Sequence, residues 1–138
     1  MSSRYSNLAL LVIRLAPGIV FFVHGAQKTL GWFGGHGLQG TVQGMTKMGM
    51  PQIVPYLVSL GELAAGLGLI VGLLTRIAAA GMFIEMLGAV LIVHLKSGFF
   101  AEHRGFEYPL TLCLVCFGIL LMGPGAYSLD ARMRRGRF

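Results

Sequence analysis

The chain has 138 residues, 55% of them hydrophobic and only 12% charged, with a mean hydropathy of +0.74. So little polar surface cannot enclose a water-soluble core of this size, which excludes an ordinary soluble domain and points to an integral membrane protein of one domain. The net charge of +6 collects in a tail and short connections, so it reads as a membrane-orientation signal and not as a nucleic-acid surface.

Four apolar runs follow one another, at 7–30, 52–74, 77–95 and 106–122. At about 1.5 Å per residue, each helix can cross roughly 30 Å of hydrocarbon. None shows the alternation of a barrel strand. The first run contains Arg14 and Pro17 and ends in VHGAQKTLGWFGGHG, residues 23–37. Val23-His24-Gly25 before Ala26 loosely fits a signal-peptidase site, but Arg14 interrupts the apolar core that such a signal needs, so retention is expected. Residues 31–51 form a Gly-rich polar connection, expected as an outer loop that folds back over the bundle mouth, with Trp32 as an interfacial anchor and His36 an ordinary loop residue.

The second run carries Ala64, Gly68 and Gly72 at i, i+4, i+8, a spacing that lets helix backbones approach closely. The third carries Gly81 and Gly88 on either side of Glu85. Thr75-Arg76 reverses the chain between these two runs, a charged segment follows at 96–105, and Gly123-Pro124-Gly125 stops the fourth run. Short connections make neighbouring helices antiparallel. The expected fold is all-α: an integral membrane four-helix up-down bundle with a basic tail at 124–138. Arg4, Arg76, Arg132, Arg134, Arg135 and Arg137 fall on one side, against Lys28, Lys47, Lys96 and Arg104 on the other. Both termini are therefore expected to be cytoplasmic, with the tail ARMRRGRF touching anionic lipid.

Ionisable groups inside a span are costly and face the bundle interior. Arg14, Glu62 and Glu85 are such groups, and an Arg between two Glu forms a candidate intramembrane charge cluster in which one carboxyl keeps its proton. It is read either as an ionic clasp that fixes helix register or as a proton or redox-ligand site. A second polar set, His24, Gln27, Lys28 and Glu107, makes a candidate ligand-binding site at the outer mouth. On a helical wheel Arg14, Phe21, Gly25 and Lys28 share one face, His24 sits on a flank, and His94 lies opposite Glu85. His24, His94 and Glu107 lack the i, i+4 spacing of a helical zinc site, and no metal is expected. Glu107 and Pro109 also fit an ordinary helix start.

Cys113 and Cys116 form a CxxC inside the fourth run. The arrangement resembles that of vitamin K epoxide reductase, but that chemistry needs shuttle cysteines outside the helix and this chain has none. Two small packing residues are the expected reading. The chain carries no flavin, haem or iron–sulfur signature.

Three stretches together, HGAQKTLGWFGG at the end of the first run, GELAAGLGLIVGLLTR over the second and GFEYPL opening the fourth, make the chain resemble the DoxX family of small membrane proteins. The resemblance covers roughly residues 8–127, and His24, Gln27, Lys28, Glu62 and Glu107 fall within the matching stretches. It implies a bacterial or archaeal cytoplasmic membrane and a link to quinones. The family takes its name from the membrane part of a thiosulfate:quinone oxidoreductase, and other members are associated with quinone or thiol stress.

The leading expectation is a quinone-linked or redox-stress-related membrane subunit that binds a quinone or small redox molecule in the bundle. Its expected partners are membrane lipid and either a soluble redox enzyme or further copies of itself. The rival is a non-catalytic scaffold or assembly factor whose charges pin helix packing. A small-solute or anion transporter is the weaker alternative, since no paired broken helices appear.

Overall fold

The computed structural model describes residues 3–136. Arg137, counted above among the orienting charges, lies outside them. Among the described residues six α-helices succeed one another: α1 (Arg4–Thr29), α2 (Gly37–Lys47), α3 (Ile53–Val71), α4 (Thr75–Gly88), α5 (Glu107–Met122) and α6 (Leu129–Arg135). Beyond Gly88, α4 continues as a π-helical segment, Ala89–His94, and a 3-10 turn, Leu95–Ser97. No strand occurs among the described residues.

Among the described residues three helical stretches are long and apolar enough to span a membrane: Arg4–Thr29, Ile53–Val71 and Thr75–Ser97. The fourth apolar helix, Glu107–Met122, is shorter. At about 24 Å its 16 residues fall a little short of the hydrocarbon thickness. Large apolar side chains such as Ile13, Ile19, Leu57, Ile77, Ile84 and Leu121 point outward along these helices. In water they would be a liability; against lipid they are the expected coat.

Lipid tails remove the hydrophobic drive between helices, so close packing has to hold them together. The tightest contact joins α1 to α3. A Cβ at Gly25 would overlap the Leu63 backbone, one at Gly66 would overlap the Phe22 backbone, and one at Gly18 would press on Ile70 at 3.0 Å. These pairs run in opposite directions along the two helices and fix their register. The stripe anticipated on α3, Ala64–Gly68–Gly72, is not this contact. Ala64 is exposed, Gly68 faces Leu73 and Ala78, and Gly72 (φ +74°) caps α3 in the left-handed conformation. Gly81 and Gly88 meet no neighbouring atom within 4 Å.

The second main pairing is α4 with α5, where Phe83 and Phe117 stack with ring centroids 5.3 Å apart. Residues of α1, α3, α4 and α5 meet in one core of Phe21, Leu69, Ala79, Met82, Leu112, Cys116 and their neighbours.

Two helices lie where loop and tail were expected. Three glycines, Gly37, Gly40 and Gly44, make α2 a poor helix by propensity. It forms because Val42 is buried and because the Thr41 hydroxyl reaches the Gly37 and Lys28 carbonyls at 2.8 and 3.2 Å. Gly35 packs against the Gln27 backbone so closely that a Cβ would not fit, and the connection does fold back onto the end of α1. The tail forms α6, whose start is capped by the Ser128 hydroxyl accepting from Ala131 N–H at 3.1 Å.

Candidate functional site

The α1–α3 register decides which charges meet. With Gly18 against Ile70 and Gly25 against Leu63, Arg14 lands at the C-terminal end of α3 and Lys28 lands beside Ser59 and Glu62. Lys28 Nζ donates to both Glu62 oxygens at 2.7 Å. The Glu62 side chain is 5% exposed, whereas Lys28 is 27% exposed, so the pair is closed on the acid's side and open on the base's. From α4, the Glu85 carboxyl turns toward that of Glu62, and its Oε2 is buried without a hydrogen-bond donor. The Ser59 hydroxyl, one helical turn before Glu62, is likewise buried without a partner, while its carbonyl accepts from the Thr29 hydroxyl at 3.1 Å. The result is an apolar bundle with a buried polar cluster of an ammonium, two carboxyls and an unsatisfied hydroxyl.

Arg14 is not part of it. The three-residue cluster Arg14–Glu62–Glu85 is replaced by Lys28–Glu62–Glu85, because the register places Arg14 opposite Leu69, about 10 Å along α3 from Glu62. Arg14 is 2% exposed and donates to three carbonyls: Leu69 O from Nε at 2.7 Å, Pro124 O from Nη1 at 2.5 Å and Tyr127 O from Nη2 at 2.8 Å. It thereby ties the end of α3 to the segment between α5 and α6. Arg14 and Lys28 do share the inward face of α1, as the wheel indicated, but they serve opposite ends of the bundle.

The outer-mouth set His24, Gln27, Lys28 and Glu107 also separates. Lys28 turns inward to Glu62. Gln27 Nε2 donates to Phe33 O at 3.2 Å and steadies the fold-back loop. Glu107 Oε2 accepts from Ala101 N–H at 2.8 Å and closes the 98–107 loop. His24 is exposed. His94 Nδ1 lies 2.7 Å from Arg104 O, again a contact within that loop. Among the described residues no group of three or more His, Cys, Asp or Glu side chains is arranged to hold a metal ion.

Cys113 and Cys116 are free thiols buried in the core, with Cys113 Sγ 3.8 Å from Phe83 O. The opposite side of α5, with Thr111, Leu114 and Gly118, is exposed.

Asp130 was not singled out from the sequence. Its Oδ1 accepts from Leu74 N–H and its Oδ2 from Thr75 N–H, both at 2.9 Å. The carboxylate thus caps the start of α4 and holds Leu74 at φ +49°, a left-handed conformation unusual for leucine. Partial burial works against the charge on Asp130, but the hydrogen bonds from Thr75 and Leu74, with the nearby Arg134 charge, outweigh it and hold the carboxyl below the usual aspartate range. The available signal was Ser128-Leu-Asp, a capping hydroxyl followed by an acid in the first turn.

The DoxX family model matches residues 9–95. The chain is 30% identical over 131 residues to a Bacillus subtilis protein named "Putative oxidoreductase CatD", covering 95% of this chain and 91% of that one. It is 28% identical to the uncharacterized membrane protein Rv3486 of Mycobacterium tuberculosis, over 92% of this chain and 82% of the relative. It is 32% identical to the inner membrane protein YqjF of Escherichia coli, over 96% of this chain and 97% of the relative. No solved structure matches it significantly.

Proposed function

The chain belongs to the DoxX family, and from that premise we propose that it is a quinone-linked membrane subunit whose Lys28–Glu62–Glu85 cluster binds the headgroup of a quinone or a similar amphipathic redox molecule. It sits in the cytoplasmic membrane of a bacterium or archaeon as a multi-pass protein, like its inner-membrane relatives. The four apolar helices form an up-down bundle with both termini cytoplasmic. The supporting observation is the charge distribution: Arg4, Arg76, Arg132, Arg134 and Arg135 at one end, against Lys28, Lys47, Lys96 and Arg104 at the other.

The observation that carries the reading is the Lys28–Glu62 pair backed by the unpartnered Glu85 oxygen. A quinone carbonyl accepts hydrogen bonds, and the partly exposed Lys28 ammonium is a donor at the edge of the cluster. Reduction of a quinone to a quinol takes two electrons and two protons. A soluble redox partner supplies the electrons, and two adjoining carboxyls beside a lysine form a group that can bind and release a proton. The name of the Bacillus relative is consistent with this class of chemistry.

The scaffold reading draws its support from Arg14, a buried charge satisfied wholly by carbonyls, which is what a packing pin looks like. The two readings concern opposite ends of the bundle. Titrating the purified protein with a short-chain menaquinone or ubiquinone analogue tests the first. A saturable rise in thermal stability, or a quinone found with the protein by mass spectrometry, is expected. Neither effect with either analogue would leave the scaffold reading standing.

A further inference from the structure

The basic tail is not a free electrostatic brush. Asp130 is bonded to the start of α4 through Leu74 and Thr75, its own N–H donates to Gly72 O at 2.9 Å, and Arg14 holds Pro124 and Tyr127. Asn7 of α1 adds a fourth tie, accepting from Ala126 N–H at 3.0 Å. α6 is therefore fixed against the bundle end, and its arginines stand at set positions.

Between α6 and the start of α4 lies an open cleft of about 240 Å³. Arg76 enters from one wall and Arg134 from the other. The Arg76 guanidinium rests over Gly123, where an added Cβ would come within 3.0 Å of it. Asp130 also borders the cleft, but each of its oxygens is taken by a backbone N–H. The remaining rim is apolar and exposed: Ile77 is 69% exposed and Met133 54%. Ile77 begins the lipid-facing side of α4, which continues through Ile84.

We propose that this cleft binds the phosphate headgroup of an anionic phospholipid. Arg76 and Arg134 grip the phosphate from two sides, and the acyl chains descend past Ile77 along α4. Asp130 attracts Arg134 across the cleft but is not in salt-bridge contact with it, so two guanidiniums against one carboxylate leave the cleft net positive at the membrane boundary, a match for a singly charged phosphodiester. The adjoining apolar rim matches the lipid tail, which a free anion lacks.

The test is lipid retention by the full chain. The protein is placed in nanodiscs of phosphatidylcholine doped with phosphatidylglycerol, extracted gently, and its bound lipid weighed by native mass spectrometry. Wild type is expected to prefer phosphatidylglycerol by about tenfold. Arg76→Gln/Arg134→Gln should bring that preference to within about twofold of parity. Arg4→Gln, an exposed arginine of α1 outside the cleft, should leave it unchanged. If the double variant fails to fold, Arg134→Gln alone, at an exposed position on α6, should still lower it about threefold. An undiminished preference in the Arg134 variants would overturn the proposal. So would an equal loss with Arg4→Gln, the mark of diffuse charge, or displacement of the lipid by equimolar inorganic phosphate, the mark of a free-anion site.

Discussion

Lys28 Nζ sits 2.7 Å from each carboxylate oxygen of Glu62, across the α1–α3 contact and near the middle of α3. The two partners are not equivalent. Lys28 is at the end of its helix and partly open, so without Glu62 it can extend toward the outer surface. Glu62 is enclosed and, without Lys28, keeps no cation to balance it and faces the second carboxyl of Glu85. Lys28→Met should therefore destabilise the bundle more than Glu62→Gln. The expected losses are about 3 kcal/mol and about 1 kcal/mol, read as detergent thermal or denaturant unfolding. The reverse order would mean that the lysine, not the acid, is the trapped charge.

Arg14→Gln should cost several kcal/mol, because hydrogen bonds to a charged donor are each worth about 1.5–3 kcal/mol and three are at stake. The loss should be local as well as global. Hydrogen exchange should accelerate at Ala126 and Asp130, whose amides are bonded in the segment that Arg14 anchors, while the Lys28 end stays protected. Uniform loss of protection along the chain would contradict the division of labour between the two ends.

Gly66→Ala places a methyl against the Phe22 backbone, where no flexible side chain can yield. The expected cost is about 1–3 kcal/mol. Gly81→Ala, at a position with no neighbour within 4 Å, should be neutral or slightly stabilising through helix propensity. Equal effects would show that α1 and α3 do not meet as described.

The α6 anchor has a defined acid limit. The folded state holds Asp130 below its ordinary value of about 3.9, so its contribution is complete above that pH and drains away as pH falls through the lowered value. Exchange protection of the Leu74 and Thr75 amides should be flat from neutrality down to about pH 5 and fall only in stronger acid. Asp130→Asn should reduce it at every pH. Loss already near pH 6 would assign the transition to another group.

The spans were legible because hydropathy and length carry them directly: the expected 52–74 and 106–122 appear as Ile53–Val71 and Glu107–Met122. The intramembrane charges were legible as a set of residues, since a charge in an apolar run stands out. Their pairing was not. Depth along each helix was readable, but the α1–α3 register depends on where Gly18, Gly25 and Gly66 let two backbones touch, a three-dimensional fact. Arg14 and Lys28 stand about four turns apart on α1, and the register decides which of them meets Glu62. α2 was hidden by its glycines, and its support is tertiary, through Val42 and Thr41. Glu107 and Gln27 looked like ligand groups because polar side chains at a helix end serve equally to close loops, and here they do so.

Glu62 either serves a ligand or only the fold. The most direct measurement is equilibrium binding of a menaquinone analogue to wild type, Glu62→Gln and Glu85→Gln in nanodiscs, with thermal unfolding followed on the same samples. Saturable binding is expected for wild type, and binding at least tenfold weaker for Glu62→Gln and Glu85→Gln with the fold retained. Binding by Glu62→Gln that matches wild type, or no binding by wild type itself, would contradict the ligand role.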